Sequence, residues 1–140
     1  FTKPHFLLLR LLHLQTINRK SDNFTLRKKI NIYYYKKLKL INSKKISIPD
    51  FYDFNFQNYL DFPILVDNKY RFHKFFIKRN IELRLYHYYN CEKIFSKKTT
   101  CKKSEILSNQ LVCLPNHKMI TYDYVDNVIN LIKKYLRETN

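Results

Sequence analysis

The amino-acid sequence predicts an α+β fold in which helices form a layer on a small sheet. Residues 58–140 read as strand, helix, strand, helix, strand, helix, and residues that favour starts and ends separate these segments. Residues 6–40 carry apolar side chains at mixed three- and four-residue steps, which is typical of one or two helices. Segments that alternate in this way bury their apolar faces against one another as a layered α/β unit.

The first 48 residues predict a helical segment. The stretch NRKSDN is its expected interruption, where Ser21, Asp22 or Asn23 would cap a second helix. Pro49 disfavours helical backbone at the residue before it. We therefore divide the chain into a helical segment, 1–48, and a small α/β domain, 49–140.

A proline and two asparagines indicate where the first strand and helix of the domain begin and end. The run YLDFPILV is apolar and rich in residues that favour strands, and Pro63 indicates an edge position or a strand start. Asn68 is suited to cap a helix that continues to Arg79. Asn80 follows where the backbone often turns left-handed, a position that favours Gly first and Asn second.

The next segment alternates as a half-buried strand does. Apolar residues occupy one face, and Glu82, Arg84 and Tyr86 occupy the other. We expect residues 81–88 to form a strand beside residues 60–66. Glu82 is the expected salt-bridge partner of Arg84, because both lie on the polar face.

The last 40 residues predict a short helix, a short strand and a well-marked final helix. Ser104 is the expected cap of a helix that ends at Gln110, and LVCLP follows as an extended segment. Thr121 is the expected N-cap of the final helix, and Ile120 and Val125 are spaced for a hydrophobic staple. The apolar stripe of this helix comprises Val125, Val128, Ile129, Ile132 and Leu136.

The charge is strongly positive and uneven. The formal net charge is +16, and residues 1–48 hold 12 Lys and Arg against one acid, Asp22. Such a charge indicates a nucleic acid or anionic partner. Lys, Asn, Ile, Tyr and Phe are also the residues that an AT-rich coding sequence favours, so codon bias accounts for much of the charge equally well.

Local motifs do not identify an autonomous enzyme. The chain has no Gly and therefore no glycine-rich phosphate loop, and its five His show no metal-binding pair. Cys91, Cys101 and Cys113 lack C-x-x-C spacing, which favours reduced thiols and a cytoplasmic location. The run FLLLRLLHL is too short to span a bilayer, so we expect no membrane association. No metal site is expected.

Taken in order, the segments resemble the DegT/DnrJ/StrS group of sugar aminotransferases. Members have an extended apolar strand before a helix, then Gly-Ile-x-x-Arg, a short helix, and Leu-Pro-x-His ahead of a Thr-initiated helix containing D-V-D-x-V. The matching stretches here are FPILV from Phe62, NIELR from Asn80, LPNH from Leu114, and YVDNV from Tyr124. Asn80 replaces the family glycine, and YHYYNCEKIF lacks the prolines and the substrate histidine of the loop that follows the Arg.

This resemblance implies the small C-terminal domain of the aspartate-aminotransferase (fold type I) architecture. It implies an enzyme that uses pyridoxal phosphate to transfer an amino group, typically from glutamate, to a keto-sugar nucleotide, in amino-sugar or cell-surface polysaccharide biosynthesis. It also implies a homodimer. The cofactor's lysine would belong to a large domain upstream of Phe1, to which residues 1–48 would connect, so no catalytic or cofactor-binding residue is assigned and this chain alone would be inactive. Arg84 and His87 are the expected substrate-binding residues.

Two other functions compete with this interpretation. The charge and the interleaved aromatic residues would suit a small basic nucleic-acid-binding protein, such as an organellar ribosome component. A remnant that only folds or dimerises is the third hypothesis.

Overall fold

The computed structural model describes residues 6–48, 60–85, 90, 94–95 and 101–139, with side chains in the first range described at residue 10 and from residue 24 onward. Its elements, in chain order, are α1 (Phe6–Lys39), β1 (Ile46–Ser47), β2 (Phe62–Val66), α2 (Lys69–Ile77), α3 (Lys102–Gln110), β3 (Leu111–Leu114) and α4 (Tyr122–Thr139). Helices packed with one small sheet make the predicted α+β class correct.

The sheet has three antiparallel strands in the order β1-β2-β3. Pro63 lies in the central strand opposite Cys113. Cys113 exchanges both of its backbone hydrogen bonds with Arg84 on its other side, at 3.1 and 3.2 Å. The Pro63–Cys113 pair is therefore a non-hydrogen-bonded pair, and the backbone of Pro63 faces the side of β1, which pairs only with Leu65 and Val66. The proline consequently removes no hydrogen bond from the ladder, although its strand is not an edge strand.

The strand order differs from the predicted one. Residues 81–88 were expected beside residues 60–66, but β3 lies between, and within residues 81–85 only Arg84 forms a bridge, to Cys113. All four residues of β3 are buried, whereas residues 81–85 alternate between buried and exposed. A segment that is apolar at every position suits the inside of a sheet, and an alternating one suits its border.

Helix α1 is continuous over 34 residues, so the predicted interruption at NRKSDN is wrong. Its buried residues Ile30, Tyr34 and Leu38 belong to the same core as β2 and α4. Tertiary packing of the second half of the helix favours helical backbone beyond what local propensity provides. The domain boundary drawn at residue 48 stays a prediction.

Two of the predicted caps are present, at Asn68 and Thr121. Asn68 Oδ1 accepts from the Arg71 amide at 2.9 Å, and Thr121 Oγ1 accepts from the Tyr124 amide at 3.2 Å. Asn80 has φ of 58°, the predicted left-handed conformation. The predicted cap Ser104 is wrong, because α3 begins at Lys102 after Cys101, which makes no side-chain capping bond.

The core joins the predicted stripe of α4 to aromatic rings of α2. Every residue of the stripe is buried, and Tyr135 is buried with it. The ring of Phe72 lies 5.0 Å from that of Tyr135 and 4.6 Å from that of Phe76, centroid to centroid. These rings fix α2 against α4.

In the described ranges, no helix is long and apolar enough to cross a membrane. The same part of the chain contains no cluster of His, Cys, Asp and Glu suited to a metal ion. Cys101 is exposed and Cys113 is buried, and Cys91 lies outside the described residues.

Replacing Tyr34 with phenylalanine is expected to raise the free energy of unfolding by about 1–2 kcal/mol, because a buried hydroxyl without a partner is costly. The Tyr34 side chain is fully buried, and its hydroxyl has no hydrogen-bond partner among the described residues. The same burial raises the pKa of this hydroxyl far above its usual range. Urea denaturation measures the change. The control is Tyr33→Phe, which loses a hydrogen bond to Asp126 and should be less stable; a less stable Tyr34→Phe variant contradicts the prediction.

Candidate functional site

One of the two predicted site residues can be placed. Arg84 is held by its backbone bonds to Cys113, and its side chain is 46% exposed. His87 lies outside the described residues, so its predicted role stays a prediction.

Arg84 borders an open groove of about 670 Å³ next to α2. The groove has an apolar wall and three side chains that can carry charge. Its described lining residues are His73, Ile77, Asn80, Ile81, Glu82, Leu83, Arg84 and Leu85. An open groove with a guanidinium at its border suits an anionic group, since guanidinium binds carboxylate and phosphate through paired donors.

The partner of Arg84 is Asp61, not the expected Glu82. Arg84 Nη1 lies 3.0 Å from Asp61 Oδ2, and the Asp61 side chain is only 12% exposed. Asp61 directly precedes β2, so the pair joins two segments separated by 23 residues. Alternation placed Glu82 and Arg84 on one face, but it could not reveal a closer carboxylate from another strand. The ion pair orients the guanidinium of a side chain that remains about half-exposed, on a residue that lines the groove.

A buried pair of asparagines, which the sequence pattern did not predict, is connected to this ion pair through Asp61. Asn116 Nδ2 donates to Asn31 Oδ1 at 2.6 Å and to the Arg27 carbonyl at 3.1 Å. Asn31 Nδ2 in turn donates to the Asp61 carbonyl at 3.4 Å. The exposed fractions of Asn31 and Asn116 are 0% and 3%. Hydrogen bonds thus connect α1, the LPNH segment, the start of β2 and Arg84.

The aspartate of the YVDNV motif forms a contact between two helices. Asp126 of α4 lies 2.8 Å from Lys37 Nζ and accepts from the Tyr33 hydroxyl at 2.9 Å, both on α1. The hydrogen bond from Lys37, and then that from Tyr33, lowers the pKa of Asp126. The hydrogen bond to Asp126 raises the pKa of Lys37. This motif residue therefore joins the two helices.

Replacing Asp126 with asparagine is expected to lower Tm at neutral pH but not in strong acid. A carboxyl group with a lowered folded pKa stabilises the fold above its unfolded value, ordinarily 3.8, and this contribution is lost as pH falls through the folded pKa. The raised pKa of Lys37 adds stability below 10.5 that is lost as pH rises through its folded pKa. Thermal melts from pH 2 to 11 measure both limits.

The matched control is Asp123→Asn, which makes the same change at an exposed position one turn earlier in α4. If Asp126→Asn melts like wild type at pH 7, or if the difference persists unchanged at pH 2, the contact does not contribute as described.

A shallower groove of about 380 Å³ lies along α1. Its described lining residues are Lys29, Ile32, Tyr33, Lys36 and Tyr122. The rings of Tyr33 and Tyr122 meet edge to face, with centroids 4.8 Å apart. Two exposed lysines beside an oriented aromatic pair are suited to a phosphate-bearing partner with stacking rings.

The described residues do not form a pyridoxal phosphate site. That cofactor needs a lysine amine able to form an imine in a pocket that also holds its phosphate and ring nitrogen. Lys69 is the only buried lysine among the described residues, and its amine donates to the Ser108 carbonyl and lies over the Tyr70 ring. Burial lowers the pKa of Lys69. This amine caps the end of α3 against α2, which is a structural use.

Comparison with known proteins gave one family and a set of solved structures. The model of the DegT/DnrJ/EryC1/StrS aminotransferase family matches residues 10–133. The sugar aminotransferase CalS13 from Micromonospora echinospora is 17% identical with a TM-score of 0.71, covering 86% of this chain and 33% of that one. A DegT DnrJ EryC1 StrS aminotransferase from Brucella abortus is 19% identical with a TM-score of 0.69, covering 87% and 33%.

A third structure is GDP-4-keto-6-deoxymannose-3-dehydratase, which was solved with PLP and glutamate trapped as a geminal diamine. It is 15% identical with a TM-score of 0.63, covering 78% of this chain and 31% of that one. No curated protein sequence matches this chain. At these identities the structures show a shared fold, and the chain spans about a third of their length.

Proposed function

This chain belongs to the DegT/DnrJ/EryC1/StrS aminotransferase family, and from that membership we propose that it is the C-terminal part of a pyridoxal-phosphate-dependent enzyme that aminates keto-sugar nucleotides. The resemblance first drawn from FPILV, NIELR, LPNH and YVDNV is confirmed by the family match. The observation that carries the proposal is the match over residues 10–133 combined with coverage of about one third of each related structure.

The rest of the enzyme supplies the cofactor site in this proposal. Pyridoxal phosphate, when bound, provides the electron sink through which an amino group is transferred. Lys69, the buried lysine of the described residues, donates to the Ser108 carbonyl and is therefore not proposed as the cofactor lysine. This chain alone is accordingly proposed to be inactive, and the whole enzyme to be a cytoplasmic homodimer in amino-sugar or polysaccharide biosynthesis.

The role of this chain is to hold an anionic part of the substrate. Arg84 faces an open groove and is oriented by Asp61, so its remaining donors can bind a carboxylate or a diphosphate. His87, three residues further on, is the second proposed contact. Ile77 and Ile81 give the groove an apolar wall that limits water around the bound group.

An activity assay tests the proposal. The 140-residue chain and the product of the reading frame extended upstream of Phe1 are each incubated with pyridoxal phosphate, glutamate and a nucleoside-diphosphate keto sugar. We expect amination only with the longer protein. The proposal is contradicted if the 140-residue chain alone is active. It is also contradicted if a longer protein that binds the cofactor shows no amination.

Nucleic-acid binding is a second candidate, which the groove of Lys29, Lys36, Tyr33 and Tyr122 favours. Part of the positive charge nevertheless has structural uses. Lys37 pairs with Asp126, Lys39 lies over the Tyr35 ring, and Lys45 donates to the Thr139 carbonyl. The excess charge is therefore weaker support for this function than the net value suggests.

Binding of a single-stranded oligonucleotide is expected, under this second function, to weaken linearly with log salt. Replacing Lys29 and Lys36 with glutamine should reduce the slope by about 1–2, since each lysine-phosphate contact releases roughly one counterion. The matched control is Lys102→Gln with Lys103→Gln, two exposed lysines on α3. Fluorescence anisotropy measures the affinity, and no binding at low salt eliminates this candidate.

A further inference from the structure

The buried asparagine pair has hydrogen-bonding groups that close packing of the core does not require. Asn31 and Asn116 are almost fully enclosed in a core formed otherwise by aliphatic and aromatic side chains. A buried amide is costly unless hydrogen-bonded, and apolar residues of similar shape would fill the same space without that cost. The pair therefore contributes directed hydrogen bonds.

The direction of these bonds leads to Arg84. Asn116 donates to Asn31 Oδ1, which fixes the amide of Asn31 with its nitrogen toward the Asp61 carbonyl. The backbone of Asp61 is thereby tied to α1, while its carboxylate binds the guanidinium of Arg84. Asp61 is the link between the buried pair and the groove.

We propose that Asn31 and Asn116 are positioning residues that hold Asp61 and, through it, orient Arg84 toward the anionic group in the groove. This inference rests on the proposed function for the identity of that group, but the geometry of Arg84 can be measured without it. The pair acts through another residue and makes no contact with the substrate itself.

The test replaces both asparagines with leucine in the 140-residue chain, which removes both side-chain amides together so that neither is left unpaired. Nitrogen-15 NMR measures the rotation rate of the Arg84 guanidinium about its Cζ–Nε bond, and pyrophosphate is titrated while the Arg84 Nε–H resonance is followed. The control is Asn127→Leu with Asn130→Leu, two exposed asparagines on α4. If the double leucine variant does not fold, Asn31→Ser, which cannot reach the Asp61 carbonyl, replaces it.

We expect the variant to rotate faster at Arg84 and to bind pyrophosphate there about fivefold more weakly, a typical coupling between connected residues. The control should match wild type in both measurements. A folded variant whose Arg84 guanidinium rotates at the wild-type rate overturns the inference, whatever its affinity for pyrophosphate. Wild-type protein in which pyrophosphate never moves the Arg84 resonance counts against the proposed function, while the rotation rate still decides the inference.

Discussion

Replacing Arg84 with glutamine in the full-length enzyme is expected to lower kcat/KM about 30- to 160-fold, because a charge-assisted hydrogen bond contributes roughly 2–3 kcal/mol. Arg84 is the one predicted site residue that the structure places on a groove, and its guanidinium is only partly engaged by Asp61. Glutamine has a shorter stem than arginine and removes the charge and most donors. Steady-state kinetics with a keto-sugar nucleotide and glutamate measure the loss.

Two further variants show whether the loss of kcat/KM is specific to the guanidinium of Arg84. Arg84→Lys keeps the charge but not the planar fork, so its kcat/KM should fall between wild type and Arg84→Gln. Arg137→Gln removes the same charge from an exposed position on α4 and should leave kcat/KM within about twofold of wild type. If Arg84→Gln also stays within that range, Arg84 does not bind the substrate.

Replacing Phe72 with alanine is expected to lower the free energy of unfolding by about 3–5 kcal/mol, the usual cost of removing a buried aromatic ring. Phe72 is fully buried and contacts Phe76 on its own helix and Tyr135 on α4. Its loss leaves a cavity between α2 and α4 that rigid neighbouring rings cannot close. Urea denaturation followed by circular dichroism measures the change.

Tyr70→Ala is the matched control for Phe72→Ala. Tyr70 belongs to the same helix but is 65% exposed, so its replacement should cost no more than about 1 kcal/mol. Comparable losses in the two variants contradict this description of the core.

Features set by neighbouring residues could be predicted from the sequence. The Asn68 and Thr121 caps and the left-handed Asn80 each depend on a few adjacent positions. The apolar stripe of α4 follows from helical spacing, and every predicted member is buried. Local residue preferences also predicted an interruption of α1 and a cap at Ser104. The structure contains neither.

Features set by distant residues could not be predicted in this way. The order of the strands depends on which apolar run fills the inside of the sheet, and burial of all of β3 was not evident from a four-residue segment. Asp61 and Arg84 are 23 residues apart, and Asn31 and Asn116 are 85 apart. One signal was present, since Asn31 lies next to Ile30 and one turn before Tyr34 on the apolar face of α1. A polar residue on a buried helix face indicates that it has a specific hydrogen-bond partner, but it does not identify that partner.

The family was identified by the resemblance rather than by local chemistry. Each motif is short, and only their order over the second part of the chain identified the family. The structure adds a role to two of them. Asp126 of YVDNV joins α4 to α1, and Asn116 of LPNH binds Asn31.

The location of the cofactor lysine decides whether this chain is one part of a longer pyridoxal-phosphate enzyme. The protein is isolated through a tag placed after Asn140, reduced with borohydride to fix pyridoxal phosphate covalently, digested, and analysed by mass spectrometry. We predict a polypeptide about 2.5 times as long as this chain, as the coverage of related structures implies, with the pyridoxyl group on a lysine outside these 140 residues. A pyridoxyl group on any lysine within them, or a purified protein of this length that still carries the cofactor, contradicts the account.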